Sequence, residues 1–153
     1  MKLALSADHR GVPATRLLAD RLRSSGHEVM VLGNLTGEMC DYPDPAYVVG
    51  RTVASKEVDL GILLCGSGLG MSIAANKVKG VRAALVHDEL TAEMSRSHND
   101  ANVLCLSADL LGQRLIEKIV DIWLATPFQG GRHERRVKKI AAIEDGKDPT
   151  TAG

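Results

Sequence analysis

Apolar residues fall in short runs that alternate with stretches of helical spacing along the whole chain. Residues 3–7, 28–32, 60–64, 82–86 and 103–106 are short and largely apolar, the pattern of buried strands. Between them, Leu17, Leu18 and Leu22 mark a helix over 13–24, with Pro13 suited to its first turn and Gly26 to its end. Tyr47, Val48 and Val53 mark a helix over 45–56, and further helices are expected over 72–78, 89–97 and 110–125. Residues 34–44 are rich in Gly, Asp and Pro and read as a loop. This alternation predicts a three-layer, Rossmann-like, doubly wound α/β fold on a five-stranded parallel sheet. A last helix runs from Gly130 to about Glu144. Its Val137, Ile140 and Ile143 recur every three residues, so one face wants a partner. Residues 1–145 form one domain, and 146–153 lack periodicity and read as a flexible tail.

Ligands of open parallel sheets bind beyond the carboxyl ends of the strands, so the residues there carry the functional reading. After the first strand come Asp8, His9 and Arg10; after the third, Cys65-Gly66-Ser67-Gly68-Leu69-Gly70; after the fourth, His87 and Asp88. The glycine segment has neither the Gly-x-Gly-x-x-Gly spacing of a dinucleotide site nor the Lys-Ser of a P-loop. It reads as a tight loop with bare amides leading into a helix, an arrangement that favours anions. Cys65 at its mouth is either a small core hydrophobe or a thiolate supported by those amides. Ser67 can donate to the thiolate or to a substrate oxygen. His98, at a helix end, is either a favourable charge on the dipole or a general acid–base. Asp8 either starts a turn or binds ligand, and His9 can meet an anion or hydroxyl. Arg132 and Arg136 share a helix face, which suits either solvent or a phosphate.

Composition narrows the class. Hydrophobic residues are 44% and charged residues 25% of 153, ordinary for a globular protein long enough to bury a core. The formal net charge of +0 gives no sign of a nucleic-acid or membrane partner, and no apolar run approaches a bilayer span. Residues 1–6 lack the apolar stretch of a signal peptide. Cys40, Cys65 and Cys105 are odd in number and widely spaced, which suits a reducing cytoplasm and no disulfide framework. No third ligand accompanies His87 and Asp88, so a metal is not expected.

Taken together, Asp8-His9-Arg10-Gly11, Asp41-Tyr42-Pro43, Cys65-Gly66-Ser67-Gly68-Leu69-Gly70, Ala74-Ala75-Asn76-Lys77, residues 95–102 and Gly130-Gly131-Arg132-His133 resemble the ribose-5-phosphate isomerase B family, over residues 1–144. That family includes galactose- and allose-phosphate isomerases. The resemblance implies metal- and cofactor-free interconversion of ribose 5-phosphate and ribulose 5-phosphate through an enediolate. Cys65 would move the proton between C2 and C1, with Ser67 beside it, and Gly66, Gly68, Leu69 and Gly70 would hold the oxyanion. His98 would open the sugar ring. Asp8, His9, Tyr42 and Asn99 would hold the sugar, and Arg132 and Arg136 the phosphate. It also implies a homodimer or homotetramer with sites completed by a neighbouring subunit. A branch with a glutamate base just after the loop has Met71 here, so the cysteine version applies. Many relatives carry an arginine where this chain has Asp109, which leaves the sugar open: a six- or four-carbon phosphate is one alternative, a non-catalytic sensor another.

Overall fold

In the computed structural model, residues 1–33 and 35–151 are described; Asn34, the first residue of the expected loop, and the last two tail residues lie outside them. The strands are β1 (Lys2–Ala7), β2 (Glu28–Val31), β3 (Leu60–Cys65), β4 (Ala83–Leu85) and β5 (Val103–Ser107). The helices are α1 (Val12–Ser24), α2 (Pro43–Ala54), α3 (Leu69–Ala75), α4 (Glu89–Ser97), α5 (Gln113–Ala125) and α6 (Arg132–Glu144). Every strand pairing is parallel, in the order β2-β1-β3-β5-β4. β3 therefore lies at the centre, and all six of its residues are buried.

A strand buried on both faces sends alternate side chains to two cores. Leu3, Leu5, Ile62, Leu64, Leu104 and Leu106 meet Leu18 and Leu22 of α1 and Ile116, Ile119, Val120 and Trp123 of α5. On the other face, Ala4, Leu63, Cys65, Val103 and Cys105 meet Val49 and Val53 of α2 and Met71 and Ala75 of α3. Gly61 lets α2 approach, since a Cβ there would sit 2.6 Å from Val49 Cγ1. Trp123 is fully buried, and its one polar atom is satisfied: Nε1 donates to Ser95 Oγ at 3.1 Å.

Local chemistry sets the element ends. Pro occupies the first turns of α1 and α2, where no intrahelical N–H bond is lost. Gly26, at φ 85°, turns the chain out of α1 while the His27 amide donates back to Leu22 O. Asp88 caps α4 by accepting from Thr91 N at 2.7 Å, and that bond holds its carboxyl below the usual range. After α6, the Lys139 ammonium donates to the Pro149 carbonyl, and Lys79 pairs with Asp145 at 2.6 Å.

Gly11, the N-cap of α1, marks where the turn after β1 presses on β3. A Cβ there would fall 2.4 Å from Leu64 O and 2.8 Å from Leu64 Cβ, both on the central strand. Gly11→Ala should destabilise the protein by about 1–3 kcal/mol, because neither backbone can move without breaking the ladder. Urea unfolding at fixed pH measures this, and an unchanged midpoint would contradict the packing described.

Candidate active site

Cys65 ends β3 and is 4% exposed. Its Sγ accepts a hydrogen bond from the Gly68 amide at 3.1 Å. The turn that makes this contact needs glycine twice over. Gly68 lies at φ 77°, and a Cβ on it would be 2.5 Å from Leu85 Cδ1. That turn also corrects an expectation. The helix begins at Leu69 rather than near residue 72, because the left-handed Gly68 redirects the chain and its carbonyl accepts from Ser72 N. Gly70 is consequently inside α3, and its missing Cβ admits the ring of Tyr42, whose Cε2 would lie 2.4 Å from such an atom. Nor are all the loop amides bare. Gly68 N serves the thiol, and Leu69 N donates to Ser67 Oγ at 3.3 Å.

The loop is tied to the strand ends on either side. Asp8 is buried, and its Oδ1 accepts from Arg10 N at 2.9 Å and Gly11 N at 3.2 Å, the turn-forming option. His9 follows, with Nδ1 buried and without a hydrogen-bond partner among the described residues. From β5, Ala108 N donates to Cys65 O at 2.8 Å and Asp109 N to Gly66 O at 3.1 Å. The Ser107 hydroxyl donates to Gly66 O at 2.6 Å and accepts from Leu110 N at 3.0 Å. Sequence reasoning missed Ser107; its signal was a hydroxyl at the end of an otherwise apolar strand. Asp109 turns toward the loop, where its Oδ2 accepts from Arg10 Nε at 2.7 Å.

The other candidates stand elsewhere in the same chain. In an all-parallel sheet, a connecting helix returns to the amino edge, so His98 at the end of α4 lies at the start of β5. Cys65 is level with Ser107, four residues further on, or about 13 Å along the strand. His98 instead stacks on His133, with ring centroids 4.1 Å apart and planes within 4°. Arg132 Nε donates to His133 Nε2 at 3.4 Å. Burial first, and then His98, Arg132 and Arg136, hold the His133 imidazole below its ordinary pKa, in keeping with a ring nitrogen that accepts. Asn99, Arg132 and Arg136 are exposed beside this pair.

An unforeseen network shapes this second cluster. Asp100, at φ 47°, takes Arg82 at 3.0 Å and Arg96 at 3.0 Å on its two carboxylate oxygens. Arg82 Nε also donates to the carbonyls of Asn99 at 3.2 Å and Asp100 at 2.9 Å. Arg96 Nη1 donates to Ala101 O at 2.7 Å. The turn presenting His98 and Asn99 is thus held from two directions. Apolar side chains flank both clusters: Leu69 and Ile73 on α3 are 55% and 63% exposed, and Ile140 and Ile143 on α6 are 43% and 60% exposed. Burial pushes the Cys105 thiol up, so it stays neutral within its core. No group of three or more His, Cys, Asp or Glu side chains able to hold a metal occurs among the described residues. No helix among them is long and apolar enough to cross a membrane.

Comparison with known proteins bears on this arrangement. Residues 3–140 match the Ribose/Galactose Isomerase family. The chain is 43% identical over 147 residues to ribose-5-phosphate isomerase B of Escherichia coli, covering 96% of this chain and 99% of that one. The solved ribose-5-phosphate isomerase B of Clostridium thermocellum superposes with a TM-score of 0.94 at 49% identity, over 95% of this chain and 99% of that one. The Mycoplasma genitalium ribose-5-phosphate isomerase B, solved with bound ribulose-5-phosphate, gives a TM-score of 0.91 at 42% identity, over 94% and 96% of the two chains. With its five-stranded parallel sheet, its glycine loop after β3 and these matches across nearly its full length, the chain belongs to the Ribose/Galactose Isomerase family.

Proposed function

We propose that the protein interconverts ribose 5-phosphate and ribulose 5-phosphate, in an active site made by two copies of the chain. The observation that carries the reading is the Cys65 thiol held by the Gly68 amide at the sheet's carboxyl edge. An N–H donated to sulfur fixes the thiol's position at the loop mouth, where it can act as a base. Cys65 removes the proton from C2 of the open-chain aldose and, with that proton exchanging with solvent on the thiol, delivers one to C1. The O2 hydroxyl gives up its proton and the C1 oxygen gains one, so the enediolate collapses to the ketose with no net change in atoms. Amides of the Gly66–Gly70 segment other than those of Gly68 and Leu69, which are already engaged, serve with the Ser67 hydroxyl the oxygen on which charge develops. Donors fixed there in advance act without reorganising as the charge appears.

The second copy supplies the rest. One chain separates His98 from Cys65 by the height of the sheet, so His98 serves a site on a neighbour. There it moves a proton between the ring oxygen and the C1 hydroxyl, opening the furanose. Arg132 and Arg136, one helical turn apart, receive the phosphate, while Asn99, with Asp8, His9 and Tyr42 from the first chain, positions the sugar. The exposed apolar residues of α3 and α6 lie beside the two half-sites and support a homodimer or homotetramer. The three cysteines are free, and a thiol base needs a reducing surrounding, which favours the cytoplasm.

Turnover of ribose 5-phosphate tests the reading. Cys65→Ala should lower kcat by about 10²–10⁴-fold, the usual contribution of a general base, and a loss under tenfold would rule the thiol out. Mixing Cys65→Ala with His98→Ala subunits should restore activity, because some mixed assemblies regain one intact site; no recovery would place the site within one chain. Arg136→Ala should raise KM about tenfold or more with kcat little changed, since it loses a charge-assisted bond to phosphate. An unchanged KM would remove the phosphate from that helix.

A further inference from the structure

Arg10 and Asp109 are 99 residues apart in sequence, yet they meet on the lip of the Cys65 loop. Arg10 Nε donates to Asp109 Oδ2 at 2.7 Å, with the two side chains 56% and 40% exposed. Ion pairs this exposed contribute little to a fold. This one is nevertheless built with care from both sides. The Arg10 amide is fixed by Asp8 Oδ1 at 2.9 Å, and the Asp109 amide by Gly66 O at 3.1 Å. The pair also presses on the loop itself. A Cβ on Gly66 would stand 2.8 Å from Asp109 Oδ2, 3.0 Å from Arg10 Cδ and 3.1 Å from Arg10 Nε.

Only Nε of the guanidinium is engaged. Among the described residues, Nη1 and Nη2 make no hydrogen bond, which leaves four N–H donors on a fork of fixed orientation at the mouth of the site. A planar fork with free donors fits two oxygens of a phosphate, a fit that an ammonium cannot reproduce. His9, whose Nδ1 is buried without a partner, precedes it directly. Asp109 has two effects here. It anchors Arg10, and it would repel an anion if Arg10 were absent.

We propose that Arg10, oriented by Asp109, is a specificity-determining residue that receives the anionic end of the substrate beside the Cys65 loop. The identity of that substrate rests on the isomerase reading; the binding of an anion by Arg10 does not. Aspartate at position 109 is then no loss of a phosphate contact, since the cation is carried by the neighbouring strand end and held in place from β5.

The test measures the affinity of ribose 5-phosphate by calorimetry and of inorganic phosphate by competition, alongside turnover, for the whole protein. Arg10→Ala should weaken both ligands by about tenfold or more and leave kcat at saturation within about threefold. Arg10→Ala combined with Asp109→Ala should bind more tightly than Arg10→Ala alone, because the bare carboxylate is gone. Affinity within twofold of the original in Arg10→Ala overturns the inference. So does a loss that spares inorganic phosphate, or a double variant no tighter than the single one. An original protein that binds phosphate through Arg10 yet turns over no ribose 5-phosphate sinks the isomerase reading and supports this one; turnover with Arg10-independent binding does the reverse.

Discussion

A single hydrogen bond, from the Gly68 amide to Cys65 Sγ, fixes the arrangement on which the rest depends. Directly after that amide the chain turns left-handed at Gly68, and the turn starts α3 at once. α3 in turn brings Gly70 under Tyr42 and buries Met71 and Ala75 against the face of the sheet that also holds Cys65. The thiol is therefore both part of the core and part of the loop. The carbonyls of Cys65 and Gly66 are claimed by two amides after β5 and by the hydroxyl of its last residue, so the loop cannot shift without dragging the sheet's edge with it. Such a loop holds its remaining donors fixed, as the proposed stabilisation of an enediolate requires.

The parallel topology imposes the second constraint. Strands that all run one way put every strand end on one edge and every helix return on the other. Groups that follow strands and groups that end helices cannot meet inside one copy. Cys65, Asp8 and Asp109 belong to the first kind, and His98 and Asn99 to the second. The stacked His98–His133 pair and the Arg82–Asp100–Arg96 network show the second edge to be as carefully ordered as the first. On the proposed reading these two ordered clusters, each bordered by exposed apolar residues, are halves of a site shared between copies of the chain.

The alternation of strand and helix was legible because it is written in local periodicity: Leu60 to Leu64 and Leu17, Leu18 and Leu22 carry it unaided. The residues after the strands were legible for a topological reason, since ligands of such sheets gather there. The start of α3 was not. Glycines at alternate positions announce a loop without saying which of them takes the left-handed turn, and only the closeness of Leu85 and Leu106 decides for Gly68. The order of β4 and β5 rests on pairings between distant segments, which leave no mark in either one. The partnership of Arg10 with Asp109 is of the same kind. Read along the chain, Asp109 stands where many relatives carry an arginine and leaves the sugar open; in space it is the anchor of an arginine.

Proton–deuterium exchange at C2 of ribose 5-phosphate, followed by NMR in heavy water, tests the central claim most directly, because it watches the bond that Cys65 is proposed to break. The account predicts loss of the C2 proton signal together with deuterium at C1 of the ribulose 5-phosphate formed, and neither with Cys65→Ala. Exchange that persists in Cys65→Ala, or none with the unaltered protein, would contradict it.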